Sequence, residues 1–206
     1  SIPETYILPD FIKSFSSKYP DVKFSISHFD SQYAISEILN GRISFGFVGS
    51  KTSNPQIKYF DLINDELVLI APIDLNIDND NGYIDIDELN KLKFIMRKEG
   101  SGTRNLTFNI LKGHNFNINN LNILAYVESN ETIKEMVKIG LGVSFISYKS
   151  AKDYIKNNKL KFYRVKNINF ARKFYFIYSK KKAFSPLENK FLSSLCEYFD
   201  IKREID

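Results

Sequence analysis

Apolar positions along this chain switch repeatedly between a helical period and a period of two, and the switches mark its elements. In "SIPETYILPDFIKSFSSKYP", Ile7, Phe11, Ile12 and Phe15 keep helical spacing. Ser1 and Glu4 stand at capping-box spacing, Pro3 suits a first turn, and Pro9 should kink the helix. "VKFSISHF" (22–29) alternates as a strand does, and Ser31 is placed to cap "QYAISEILNG", which stops at Gly41. "ISFGFVG" (43–49) and "ELVLIAP" (66–72) read as short buried strands. After the polar stretch "NIDNDNGYIDIDELNKL" the order resumes. The apolar "LKFI" runs into the glycine-rich "RKEGSGTRN" (97–105), and that turn opens a helical pattern, "LTFNILKG". "LNILAYVESN" forms a strand, "ETIKEMVKIGLG" a helix ended by glycine, and "GVSFIS" and "ARKFYFIYSK" further strands. "SPLENKFLSSLCEYF" closes as a helix, with Ser185, Pro186 and Glu188 forming its cap. Alternating strands and helices predict an α/β architecture.

Composition narrows the chemistry. At 206 residues the chain can bury one good core or two small lobes. Lone Cys196 excludes an internal disulfide and falls on the apolar face of the last helix beside Leu192 and Leu195, a packing position. His28 and His114 lie in separate segments without ligand spacing, so no metal is expected. No apolar run approaches the roughly 20 residues that span a bilayer, so no membrane partner is expected. A start at Ser1, with neither Met nor a signal-like stretch, reads as an excised fragment. The net charge of +5 is uneven: residues 1–71 hold six basic against eight acidic side chains, leaving +7 for the rest. It clusters on no reading helix, so it describes a solvated lysine-rich surface rather than a nucleic-acid site.

Ser1, Ser31, Ser101 and Ser129 each stand just before a helix, and the last three follow strands. Hydroxyls are good N-caps, which explains any one of them structurally. Four together suggest more, because in α/β sheets ligands settle beyond the carboxyl ends of strands, where helix N-termini offer free N–H groups and partial positive charge. That arrangement suits a small anion. The turn "EGSGTR" lacks the Gly-Lys-Ser/Thr of a P-loop, and "GSGTRN" lacks the third glycine of a dinucleotide fold. No serine sits in a nucleophile elbow with a histidine base. Neither catalysis nor a cofactor is expected.

These motifs in their order resemble the effector-binding domain of LysR-type transcriptional regulators. The resemblance covers almost the whole chain: the opening "SIPETYILPDFIKSFSSKYPDVKFSI", "EILNGRISFGFVG" (with Ser44 where the family usually has Asp), "FIMRKEGSGTRN" and "ESNETIKEMVKIGLGVSFIS". It implies two Rossmann-like subdomains joined by two crossing strands, as in type II periplasmic binding proteins. The first lobe would comprise residues 1–71 and 178–206, the second 72–177, with crossings at "LVLIAP" and "KFYFIY". It also implies a cytoplasmic regulator that touches DNA only through an N-terminal winged helix-turn-helix absent from this sequence. An antiparallel dimer through this domain is implied, with Tyr6, Phe11, Phe15 and the 137–139 stretch offering apolar surface, and a higher oligomer in the full-length protein. The expected ligand is a small anionic effector in a cleft between the lobes. Gly100 and Gly102 would let backbone N–H groups approach it, Ser101 and Thr103 would donate hydroxyls, and Arg97 would add charge. Ser129 and Asn130 would supply a second helix start. Ser1, Ile2 and Ser31 would face them, with Gly49 and Ser147 at strand ends. The "RKEGSGTR" turn is similar to that of a subgroup linked to sulfur metabolism. The rival expectation is a solute-binding protein of a small-anion transporter, which would share the fold.

Overall fold

The computed structural model describes residues 2–201. In chain order its elements are α1 (Ile2–Tyr6), α2 (Leu8–Lys18), α3 (Ser31–Leu39), β1 (Gly46–Val48), β2 (Ile57–Ala71), β3 (Tyr83–Ile84), β4 (Lys93–Arg97), α4 (Gly102–Gly113) and β5 (Asn122–Val127). Then follow α5 (Asn130–Lys138), β6 (Ser144–Ser147), α6 (Tyr148–Lys156), β7 (Lys161–Val165), β8 (Ala171–Ser179) and α7 (Pro186–Tyr198). Two compact units result, Ser1–Asn64 with Lys173–Asp206, and Asp65–Arg172. The sequence expectation broke the chain after residues 71 and 177; the units divide earlier, inside β2 and near the start of β8. The reason is that β2 begins at Ile57, well before "ELVLIAP", so the crossing lies in mid-strand and not at the polar stretch beyond Pro72.

In the first unit Pro9 does more than kink a helix. Ile7 leaves helical geometry (φ −123, ψ −51), α1 ends, and α2 restarts with the proline in its first turn, where a missing N–H costs nothing. Phe11 and Phe15 are 1% exposed and pack with Leu192, Leu195 and Cys196 of α7, so they fill this unit's own core rather than offering apolar surface. Ring pairs such as Phe11–Phe191, 5.1 Å apart and edge-on, hold the two helices together. The α7 capping box predicted at Ser185 and Glu188 is present in both directions. Residues 22–29 alternate as expected yet form no strand. Residues 22–27 and 29, with 43–47, line a cavity of about 440 Å³ instead. The predicted 43–49 strand shrinks to β1, which pairs antiparallel with β8 (Phe47 opposite Phe176).

In the second unit, β2 pairs antiparallel with β6 and β7, and β7 pairs in parallel with β3. β4 and β5 run parallel as neighbours, and Phe94 of β4 bridges Val143 in parallel on the way into β6. Gly142 permits that approach: a Cβ there would lie 2.4 Å from the Lys93 carbonyl oxygen. Phe94, Phe145 and Phe170 stack at 6.2 and 4.8 Å in the core. Val137 is fully buried on α5, whereas Ile139 just beyond it is 67% exposed. The sequence pattern did not predict α6 and β7. The lysine-rich "YKSAKDYIK" buries only Ser150 and Ala151, too thin a stripe to read as a helix.

Candidate functional site

The second unit gathers three helix starts along one edge. β5, β4 and the chain entering β6 lie side by side and parallel; β6 ends at Ser147, and Ser101 and Ser129 follow β4 and β5 within four residues, each heading the next helix. Ser129 is the N-cap of α5, Ser101 of α4 and Ser147 of α6. Each helix leaves its first N–H groups without intrahelical partners and carries partial positive charge at that end. Gly100 makes the turn into α4 possible with φ +86, a left-handed value that side chains disfavour.

The three serines are used differently. Ser129 caps its helix, its Oγ accepting from the Thr132 N–H at 3.3 Å. Ser147 donates to Asp65 Oδ1 at 2.8 Å and makes no cap bond. Ser101 is 4% exposed as a residue, and its hydroxyl makes no cap bond to α4.

Two arginines connect these starts. Arg97, the last residue of β4, donates from Nη1 to Asn130 Oδ1 at 2.8 Å, joining two residues singled out in the sequence. Arg172, at the start of β8, was missed. Its Nε donates to Asp65 Oδ2 at 2.8 Å and its Nη1 to Thr103 Oγ1 at 3.0 Å, forming a chain Ser147–Asp65–Arg172–Thr103. Side-chain exposure is 4% for Arg172 and 0% for Asp65. Burial pushes the Arg172 guanidinium below its ordinary pKa, and the Asp65 charge and hydrogen bond oppose that push. The available signal was an acid and an arginine, each standing just ahead of a stretch read as a crossing. Arg104 lies elsewhere, its Cζ 4.8 Å over the Tyr126 ring in a cation–π contact.

Acidic side chains do stand near this edge, but they are exposed and answered. Glu128 pairs with Lys98 at 3.7 Å and Glu131 with Lys134 at 2.7 Å.

In the first unit, Ser31 and Gly49 come together: the Gly49 N–H donates to Ser31 Oγ at 3.2 Å. Ser31 is not the α3 cap that the sequence suggested. Asp30 takes that role, accepting from the Tyr33 N–H at 2.8 Å, since a carboxylate one residue earlier caps equally well. Ile2 is buried against Ile7 and Phe174, so its side chain belongs to the core. The Ser1 expectation, both as a cap and as a ligand contact, lies outside the described residues.

Two α/β units, with helix starts gathered beyond the strand ends in the second, make the arrangement in which α/β proteins hold ligands. The LysR substrate binding domain model matches residues 1–200, and the chain belongs to that family. The "Probable RuBisCO transcriptional regulator" of Trieres chinensis is 30% identical over 173 residues, 82% of this chain and 56% of that protein. The "Phosphonates import ATP-binding protein PhnC" of Anaeromyxobacter dehalogenans is 25% identical over 93% of this chain and 38% of its own length. The chain thus spans 38 to 60% of the length of the first curated relatives it matches. Among solved structures, the effector binding domain of QuiR in complex with shikimate superposes with a TM-score of 0.85 at 18% identity, covering 96% of this chain and 92% of that one. The Synechocystis PCC6803 CcmR regulatory domain in complex with 2-PG gives 0.84 at 24% identity, covering 94% and 91%. These likenesses show the type II periplasmic-binding-protein-like fold of LysR effector domains. No described helix is long and apolar enough to cross a membrane.

Proposed function

We propose that this effector-binding domain senses a small anion at the strand ends of its second unit, and that binding controls transcription by a longer regulator. The observation that carries this reading is the gathering of three serine-headed helix starts, those of α4, α5 and α6, beyond the ends of neighbouring parallel strands, with Ser101 making no cap bond of its own. Ser101, Gly102 and Thr103 would contact the anion, and Ser129 and Asn130 would flank it from α5. Arg97 and Ser147 would orient the contacts. The first-unit expectations at Ser31 and Gly49 join this proposal as a second, smaller contact group. DNA contact through an N-terminal domain, dimerisation through this domain and a cytoplasmic setting belong to the same proposal, with family membership in support. The "RKEGSGTR" turn favours a sulfur-linked oxyanion within that class.

A thermal-shift panel of sulfate, phosphate, phosphonates, 2-PG and shikimate tests the reading directly. A ligand at a hundred times its Kd stabilises by about 2.7 kcal/mol. Ser101→Ala should abolish that shift while leaving the unliganded stability within about 0.5 kcal/mol of wild type. An unchanged shift in Ser101→Ala would move the site elsewhere. The transporter reading keeps one point in its favour, the name of the phosphonate-import relative. A helix-turn-helix coding segment directly upstream in the gene supports the regulator, and a secretory signal there supports the transporter protein.

A further inference from the structure

Residues 22–27 of the first unit carry the period of a strand without a strand's partners. Val22 and Phe24 pack against the core that joins α2 to α7, while Ile26, next in the alternation, is 52% exposed. Among the described residues, none of 23–27 makes a backbone–backbone hydrogen bond. Backbone N–H and C=O groups set beside apolar side chains need such partners. The same cavity of about 440 Å³ is lined by 43–47, the stretch that runs into β1. β8 pairs along one edge of β1, and no described strand pairs along the other. Two strand-like segments with unpaired edges therefore border one cavity, which Leu8 and Ile12 of α2, Ala34 of α3 and Phe191 of α7 also line. A strand residue takes about 160 Å³, given a rise of about 3.3 Å, a strand spacing of about 4.8 Å and layers about 10 Å apart. The cavity thus admits about three residues of strand, the length of β1.

We propose that the segment directly preceding Ser1 in the full-length protein enters this cavity as a strand, pairing with 22–27 on one edge and with β1 on the other. α1 begins at Ile2 and its Glu4 lines the cavity, so chain arriving at α1 is already at the rim. The curated relatives carry further chain beyond the stretch they share with this one. Parallel strands need a helical crossover between them, and the order of strand, α1 and α2, 22–27, α3 and β1 supplies one at each step. Strands covered by helices read as near-continuous apolar runs, so the segment should be rich in Val, Ile or Leu. A small apolar ligand would fill the same volume but leave both backbone edges unpaired.

The test extends the 206-residue chain by the residues that its gene encodes before Ser1, about eight of them, and follows hydrogen exchange and melting temperature. In the unextended chain the amides of 23–27 should exchange as exposed backbone does. The extension should slow them at least about tenfold, together with the β1 amides that do not face β8, and raise the melting temperature by several degrees. The same extension with prolines at its central positions lacks the donors a ladder needs, and should return both readouts to the unextended values. Equal exchange with and without the native extension overturns the inference, as does equal protection by the proline version. So do 23–27 amides already protected in the unextended chain, or a gene that encodes only a start codon before Ser1. Protection that grows with protein concentration gives the cavity to a second copy, and the inference falls with it. If the unextended chain does not fold, the native and proline extensions are compared directly, and the same equality decides.

Discussion

Each unit contains a carboxylate that collects a serine hydroxyl and a cation, and the two are handled in opposite ways. In the first unit Glu188 accepts from the Ser185 N–H at 2.8 Å and from the Ser44 hydroxyl, with Lys182 at 3.2 Å, near the surface of α7. In the second unit Asp65 accepts from Ser147 and Arg172 at full burial. Most of the Glu188 contacts close over a few residues of chain, whereas those of Asp65 bridge separations of 82 and 107 residues. A local network stabilises the helix that contains it. A long-range buried one holds separate strands and helix starts in register, and its loss leaves a charge stranded in a poor solvent.

The sharpest way to break the comparison is to remove Arg172. Arg172→Met should cost about 3–5 kcal/mol of stability in denaturant unfolding, because Asp65 is then buried and unpaired. Asp65→Leu with Arg172→Met should recover much of that loss while still failing to hold Thr103. A double variant as unstable as the single one would show that packing, and not the stranded charge, sets the cost. The adjacent acid supplies the contrast. Glu66 points to the opposite face of β2 and pairs with Arg164 at 2.7 and 2.9 Å, about one-third exposed on each side.

At Glu188 the expected effect is smaller. Ser185→Ala should cost about 1 kcal/mol, the usual worth of an N-cap. Burial raises the Glu188 pKa, but bonds from Ser44, Ser185 and Lys182 outweigh it and hold the group down at about 2. A depressed folded value means that the stabilisation is complete above the unfolded pKa of about 4.3 and is lost as pH falls towards 2. Hydrogen exchange of the α7 amides should therefore accelerate over that acid window in wild type. In Glu188→Gln it should show no such step. Arg164→Ala, breaking the exposed pair, should cost only about 0.2–1 kcal/mol in the same unfolding assay.

The same contrast explains what the sequence disclosed. The Ser185–Pro186–Glu188 cap, the Ser101 and Ser129 helix starts and the glycine turn at Gly100 were legible, because each is written within a few neighbouring residues. So was the α/β class, which needs only the alternation of periods. Asp65 and Arg172 were not legible, since nothing local marks an acid and an arginine as partners across 107 residues. The 22–29 segment misled for a related reason. Its alternation is real, but a strand also needs a ladder partner, and these residues line a cavity instead. Asp30 displaced Ser31 as a cap because both residue types suit the position and only geometry decides between them.

A final substitution sets a serine cap in one unit against its counterpart in the other. Ser129 and Ser185 both head helices and both accept from a backbone N–H, at 3.3 and 3.2 Å. Asp caps about as well as Ser, so Ser129→Asp and Ser185→Asp should each shift stability by no more than about 0.5 kcal/mol. At Ser185 that is the whole effect expected. At Ser129 a carboxylate would also stand beside the niche proposed for the ligand. Like charges 4 Å apart repel by about 4 kcal/mol at an effective dielectric of 20. Screening by salt and escape of the side chain towards solvent reduce this, leaving at least about a tenfold loss of anion affinity. Melting temperature and calorimetric affinity measured on both variants therefore separate capping from binding. Stability and affinity retained together in Ser129→Asp would remove α5 from the site, leaving the α4 and α6 starts to hold the anion alone.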